Sequence, residues 1–333
     1  CSGKGVLIVE LGRQDGKTGK IGKEIHGFGF GAQMHVLTIA LSYAFRTGRT
    51  LVMRQADNWW YTDARDCPSR SFECYFRPVG ACSESAVLEG VSGEVPMLSA
   101  ATEGERVVYT DCRLDNFLNL RANRVFVPSE VQHRGLLWWR AQLASYLLTP
   151  TDAISALVSS EKLRLGWVGE ADGGVTGVHV RHGDKKTESS VVPMENYLAA
   201  ALQIARGRSE AGPSPRQGLH ALYISTDDEE ALDAAKIWAT NPVGGAGGVV
   251  LMAREGEVRG VSTATDKVVE MHNVNATKYG EEAVMNLLLL SNCRNFVGTF
   301  SSNFGRLAFE LAYARFNTEV VAASMDVFWH AYP

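Results

Sequence analysis

Six cysteines occur in this chain of 333 residues, yet no two stand as Cys-x-x-Cys. A structural zinc knuckle or a thioredoxin-like redox motif is therefore not expected. Asp-x-Asp is missing as well, and with it a common short-range carboxylate clamp for magnesium or manganese. No apolar run approaches the length of a bilayer span. Lysine and arginine form no basic tract, no acidic tail balances them, and the net charge is only −4. A nucleic-acid footprint is thus not expected. Residue 1 is Cys, and no charged segment leads into an apolar core, so a signal-peptide pattern is also lacking. The chain reads as a trimmed or mature fragment, and the missing anchor says nothing in favour of the cytosol. No internal repeat or long low-complexity tract breaks it.

What is present is the composition of a packed globular protein, with 45% hydrophobic and 21% charged residues. The length suits two domains, divided here as 1–150 and 151–333. Four of the cysteines, Cys1, Cys67, Cys74 and Cys82, lie in the first 82 residues; Cys112 and Cys293 follow. An even count with such clustering, together with the sequon Asn275-Ala276-Thr277, points to disulfides and a secretory route.

Gly5 to Leu11 reads as a buried strand, followed by a polar, glycine-rich loop. His26-Gly27-Phe28-Gly29-Phe30-Gly31 then opens a helical pattern at Met34, Leu37, Leu41 and Phe45, and Thr50–Arg54 reads as a second strand. Strand, glycine turn, helix and strand make a βαβ unit. Glycines at 27, 29 and 31 would let backbone approach a pyrophosphate at a helix N-terminus; a tight turn needing small residues explains them equally well. Residues 57–82 read as irregular. Leu136–Leu148 is a helix stopped by Pro150. Beyond a second helix, strand and helix patterns alternate: strands at 176–180, 221–225, 248–252, 295–298 and 319–322, with helices at 195–206, 229–239, 281–291 and 305–314. That alternation predicts a parallel, doubly wound sheet.

Three strand ends carry chemistry. Thr176–Val180 runs into Arg181-His182-Gly183-Asp184-Lys185-Lys186-Thr187-Glu188. A buried strand that delivers ionisable groups at its carboxyl end is how open α/β sheets place a site. The arginine fork suits a phosphate, and a carboxylate suits a proton to be removed. Ser225-Thr226-Asp227-Asp228 follows the next strand. Acidic groups there satisfy a helix dipole, and a metal role stands as the alternative. Gly298-Thr299-Phe300-Ser301-Ser302-Asn303 precedes the last helix. Its serines suit a helix cap, and equally a bound phosphate.

GVHVRHGDKKTE, YISTDDEEAL and NFVGTFSSNFGRLAFELA resemble, in order, the three donor-site motifs of α1,6-fucosyltransferases, the enzymes of N-glycan cores and of rhizobial Nod factors. GFGFGAQMH, RTLVMRQADNWWY, FRPVGAC and WWRAQLASYLLTP resemble further segments of that family, so the likeness runs through nearly the whole chain. It implies a GT-B-like pair of α/β domains, a Rossmann-like one at the C-terminal side, with GDP-fucose as donor substrate and a glycan hydroxyl as acceptor. It further implies inversion at the anomeric carbon, no cofactor and no metal. The location implied is the Golgi lumen, with contact to a membrane only through an anchor outside this chain, and no nucleic-acid partner. Arg181 would bind the β-phosphate, with Gly29 and the amides near Ser301 and Ser302 completing the cradle. His179 would lie near the guanine, Tyr61 near the ribose, and Asp227 and Asp228 among the donor-binding residues. Glu188 would be the catalytic base, supported by Asp184 and Lys185. Cys1 and Cys82 fall where the family has a disulfide.

The chain also departs from the family. His182 stands where a second arginine is usual, and the interval from Asp184 to Glu188 is one residue short. Asn286 replaces the acid that reads guanine, and Gly298 and Gly305 replace a cysteine pair. These departures keep two other readings open: a transferase using another GDP-sugar or acceptor, and a non-catalytic glycan-binding relative.

Overall fold

The computed structural model describes residues 5–11, 29–54, 59–111, 117–167, 174–182, 191–209, 220–240, 248–259 and 274–331. The chain divides into two compact units. The first comprises Cys1–Ala153, Thr265–Glu281 and Ala331–Pro333, and the second Ile154–Ala264 and Glu282–His330.

In the first unit, β1 (Gly5–Glu10) lies between β2 (Arg49–Met53) and β3 (Val107–Asp111), all parallel. Val6 to Val9 are buried without interruption, as a central parallel strand requires. Helix α1 (Phe30–Thr47) connects β1 to β2 and ends where Gly48 takes φ 68°, a conformation that glycine adopts without steric cost. Its buried polar residues have partners. Trp59 Nε1 donates to Gln33 Oε1 (2.8 Å), and Trp139 Nε1 donates to Ser42 Oγ (3.0 Å). Phe45, read from the sequence as part of the apolar face, is instead 59% exposed, with its ring edge on Trp139.

Strand β3 was not expected from the sequence. Val107-Val108-Tyr109-Thr110-Asp111 is short and flanked by polar residues, so pairing with β1 rather than local pattern makes it a strand. Helices α2 (Glu84–Leu88) and α3 (Arg121–Arg124) are short; α4 (Gly135–Leu147) packs against α1. From Trp59 to Ser83 the chain is largely irregular and is stapled by a disulfide between Cys67 and Cys74. Cys82 is also disulfide-bonded; Cys1, its expected partner, lies outside the described residues.

Tyr75 Oη donates to the carbonyls of Tyr61 (2.5 Å) and Thr277 (2.8 Å). A Cβ at Gly280 would sit 2.3 Å from that hydroxyl and 2.4 Å from the Tyr61 carbonyl. Only glycine allows the backbone so close.

The second unit begins with most of α5 (Asp152–Arg164) and contains a five-stranded parallel sheet. Its strands are β4 (Val175–Val180), β5 (His220–Thr226), β6 (Val249–Ala253), β7 (Asn295–Gly298) and β8 (Val321–Ser324), in the order β6-β5-β4-β7-β8. The connecting helices are α6 (Met194–Ser209), α7 (Glu229–Thr240), α8 (Ala276–Ser291), whose start up to Glu281 belongs to the first unit, and α9 (Asn303–Phe316). Each helix expected from the sequence in this half is present, with ends shifted by a few residues. Val178, Leu198, Leu222 and Val297 are completely buried between sheet and helices. Each contributes roughly 1.5–3 kcal/mol by leaving water. Among the described residues, no helix is long and apolar enough to cross a membrane.

Candidate active site

Counted from β4 as strand 1, the sheet order of the second unit is 3-2-1-4-5. The chain winds outward from β4 through β5 and β6, then crosses to β7 and β8. In open α/β sheets the crevice for a ligand forms at such a reversal, outside the carboxyl ends of the strands. Here the reversal lies between β4 and β7. His179 of β4 is in register with Gly298 of β7 and with Ser225 of β5. Arg181, the Thr299–Ser302 turn and Asp227 therefore all leave the same edge of one sheet.

Arg181 forms an ion pair with Asp227, each side chain about a quarter exposed (27% and 26%). Asp227 also accepts from the His182 amide (3.0 Å). This pair holds the guanidinium at the sheet edge rather than in bulk water. His182 points inward. Its Nε2 lies 2.9 Å from the Val192 carbonyl and its Nδ1 lies 3.3 Å from Asp228 Oδ2, with the ring edge-on to Tyr197. Asp228 is buried and also accepts from the Glu230 amide (3.0 Å), which caps α7. Of the two neighbouring acids, Asp228 thus serves the fold and Asp227 faces the edge.

His179 is only 5% exposed and stacks on Phe304, with ring centroids 5.3 Å apart. A Cβ at Gly305 would lie 2.9 Å from His179 Nδ1 and 2.8 Å from the Thr299 carbonyl. Glycine thereby lets α9 begin directly against β4. Burial lowers the His179 pKa to about 4; Asp227 opposes this and Arg181 adds to it. An unfolded histidine titrates near 6.5, so the unfolded chain binds more protons between these values. The stabilisation is complete above about pH 6.5 and is lost as the pH falls toward 4, at most about 3 kcal/mol at 1.36 kcal/mol per unit. Denaturant melts at pH 7.5 and 4.5 should show this loss in the parent and a smaller one in His179→Gln. Equal losses would refute it.

The turn before α9 is held from several sides. Ser302 Oγ accepts from the Gly305 amide (3.4 Å) as the helix cap, and the Ser302 amide donates to the Thr299 carbonyl (3.3 Å). Buried Arg306 donates to the Phe300 carbonyl, to Asn303 Oδ1 (2.6 Å) and to His330 Nε2 (3.0 Å). The Phe300 and Ser301 amides donate to Asp326 at 2.8 and 3.3 Å. The amides expected at Ser301 and Ser302 to cradle a phosphate thus already have internal partners. Asp326 and Arg306 were missed from the sequence. The signal for Asp326 was its place just past an edge strand that ends beside the serine turn.

Asn286, expected at a nucleobase, is engaged within the unit. Its Oδ1 accepts from Tyr223 Oη (2.6 Å), and its Nδ2 donates to Glu257 Oε1 (2.6 Å) and to the Glu282 carbonyl (3.1 Å). Glu257 is itself gripped by Arg254 (2.5 Å) and Arg259 (2.6 Å).

In the first unit, Tyr61 is fully buried and its hydroxyl accepts from the Phe30 amide (2.7 Å), which fixes the start of α1. Gly29 precedes that helix, and its carbonyl accepts from the Ala32 amide (3.0 Å). Gly31 is not in the glycine loop but buried in the first turn of α1. Gly27, Asp184, Lys185 and Glu188 lie outside the described residues. Among the described residues, no group of three His, Cys, Asp or Glu side chains is placed to hold a metal ion.

Two α/β units, the second with its site edge at a strand-order reversal, define the class: a GT-B-like glycosyltransferase fold. Arabidopsis thaliana FUT1, solved as a variant with GDP, matches 99% of this chain and 72% of its own, at 12% identity and a TM-score of 0.55. Fucosyltransferase NodZ from Bradyrhizobium matches 92% of each chain at 17% identity and a TM-score of 0.49. The Drosophila melanogaster alpha-(1,6)-fucosyltransferase is 23% identical over 292 residues. That match covers 86% of this chain and 42% of the fly protein, so the chain spans less than half of that relative's length. The model of alpha-(1,6)-fucosyltransferase N- and catalytic domains matches residues 21–241, and the chain belongs to this family.

Proposed function

We propose that the protein transfers fucose from GDP-fucose to a glycan hydroxyl, forming an α1,6 linkage with inversion and without a metal ion. The observation that carries this reading is the shared sheet edge: Arg181 after β4 and the serine turn after β7 flank the reversal. Family membership supports the donor and the linkage. In this reading the diphosphate lies at that edge. Arg181 neutralises the departing phosphate in place of a cation, with Asp227 as the counter-ion that holds the guanidinium ready. His179, stacked on Phe304 at the same strand end, lies near the base. Glu188 takes the proton of the acceptor hydroxyl, supported by Asp184 and Lys185. The first unit serves the acceptor side and the second the donor side. The cysteine bridge at 67–74 agrees with an oxidising compartment, and we assign the Golgi lumen.

The test is a donor and acceptor screen on purified protein. Calorimetry should show GDP-fucose binding, and an N-glycan acceptor should gain one deoxyhexose in a 1,6 linkage. Tighter binding of another GDP-sugar would shift the reading to that donor, a possibility motivated by the inward engagement of Asn286. Absence of binding to any GDP-sugar would overturn it.

A further inference from the structure

The carboxylate of Asp326 is the centre of an unusually complete hydrogen-bond set. It accepts from the backbone amides of Phe300 (2.8 Å), Ser301 (3.3 Å) and Val327 (2.6 Å), and from Ser324 Oγ (3.0 Å). Ser324 Oγ is also 3.2 Å from the Phe300 amide. The Phe300 and Ser301 amides belong to the turn between β7 and α9; the carboxylate belongs to the segment after β8, the neighbouring strand. On the other side of the turn, Arg306 grips the Phe300 carbonyl. One residue is thus held through its N–H by an anion and through its C=O by a buried cation. The carboxyl sits below its usual pKa: burial raises it, but the donors from Ser301, Val327, Ser324 and Phe300 outweigh burial. It is therefore charged at neutral pH.

A capped helix needs only Ser302 for its start. The extra clamp fixes the two residues before the cap, the stretch that faces the strand-order reversal. We infer that Asp326 is a positioning residue for donor binding: it fixes the Thr299–Ser302 turn in the shape that receives the donor diphosphate, acting through the backbone of that turn. This rests on the donor site proposed above. Without the carboxylate, the Ser301 amide loses its acceptor, the Phe300 amide keeps only Ser324 Oγ, and the turn can rotate.

The test compares the parent with Asp326→Ala and Asp326→Asn. Asparagine keeps one oxygen for the amides and loses the charge. The donor KM should rise about tenfold for alanine and about threefold for asparagine, in line with loss or weakening of charge-assisted contacts. The kcat should stay within about threefold, because the clamp acts on binding geometry. A merely structural role would lower the melting temperature without this graded effect on donor KM. If Asp326→Ala does not fold, Asp326→Asn decides alone. A folded variant with the parental donor KM, or a fall confined to kcat, overturns the inference. GDP calorimetry on Arg181→Ala separates the two claims. If the parent binds no GDP, the donor site itself fails. If Arg181→Ala weakens GDP binding and the Asp326 variants do not, only the positioning role fails.

Discussion

Replacing Arg181 with alanine should lower kcat/KM for GDP-fucose by about 10²–10³-fold, the range found when one preorganised electrostatic donor is removed from a reacting centre. Loss of a sugar from a nucleoside diphosphate leaves an extra negative charge on the β-phosphate. In the metal-free mechanism proposed above, that charge is met by fixed positive groups. The Arg181 guanidinium is held at the sheet edge by Asp227, so little reorganisation is needed when charge develops. The variant loses more than an attraction. Asp227 remains, still holding the His182 amide, and now repels the diphosphate. Both donor KM and kcat should therefore suffer. Lysine at this position should recover only part of the loss, because a point charge cannot reproduce the fork. Steady-state kinetics on GDP release, beside GDP calorimetry, make the measurement. Parental turnover in Arg181→Ala would remove the mechanism.

The second large effect is expected at Glu188. Glu188→Gln should reduce kcat by about 10²–10⁴-fold, the usual weight of a general base, with GDP-fucose binding unchanged. The interval from Asp184 to Glu188 is one residue shorter than in the family resembled. Asp184 is therefore a rival for the proton, and Asp184→Asn belongs in the same experiment. The variant that loses kcat and keeps donor affinity identifies the base. Loss of donor affinity in Glu188→Gln, with turnover of bound donor retained, would place Glu188 in binding rather than chemistry.

Most of the second unit was legible because parallel strands buried on both faces are written as unbroken apolar runs, and helices between them carry a different period. Val175–Val180, His220–Thr226 and Asn295–Gly298 all lie within a residue or so of where the pattern put them. Strand β3 was illegible because its alignment with β1 is a tertiary event. At the site, residue type and position along the strands were readable, but hydrogen-bond allegiance was not. Asp227 and Asp228 look equivalent in sequence; one pairs with Arg181 and the other with a histidine and a helix cap. Tyr61 and Asn286 have the chemistry of ligand contacts, yet their polar atoms bind Phe30, Tyr223 and Glu257. Asp326 reaches back 25 or 26 residues, and only its place just past an edge strand ties it to the serine turn.

The first unit draws on three separate stretches of chain, the middle one being Thr265–Glu281. Tyr75 Oη and the Asp63 amide both donate to Thr277, and the Thr277 amide donates back to Asp63 Oδ2 (3.4 Å). A chain synthesised only as far as residue 153 contains most of this unit but not those partners. During synthesis its completion must wait until most of the second unit has emerged. For the same reason, a single cut near residue 153 cannot yield two self-sufficient halves.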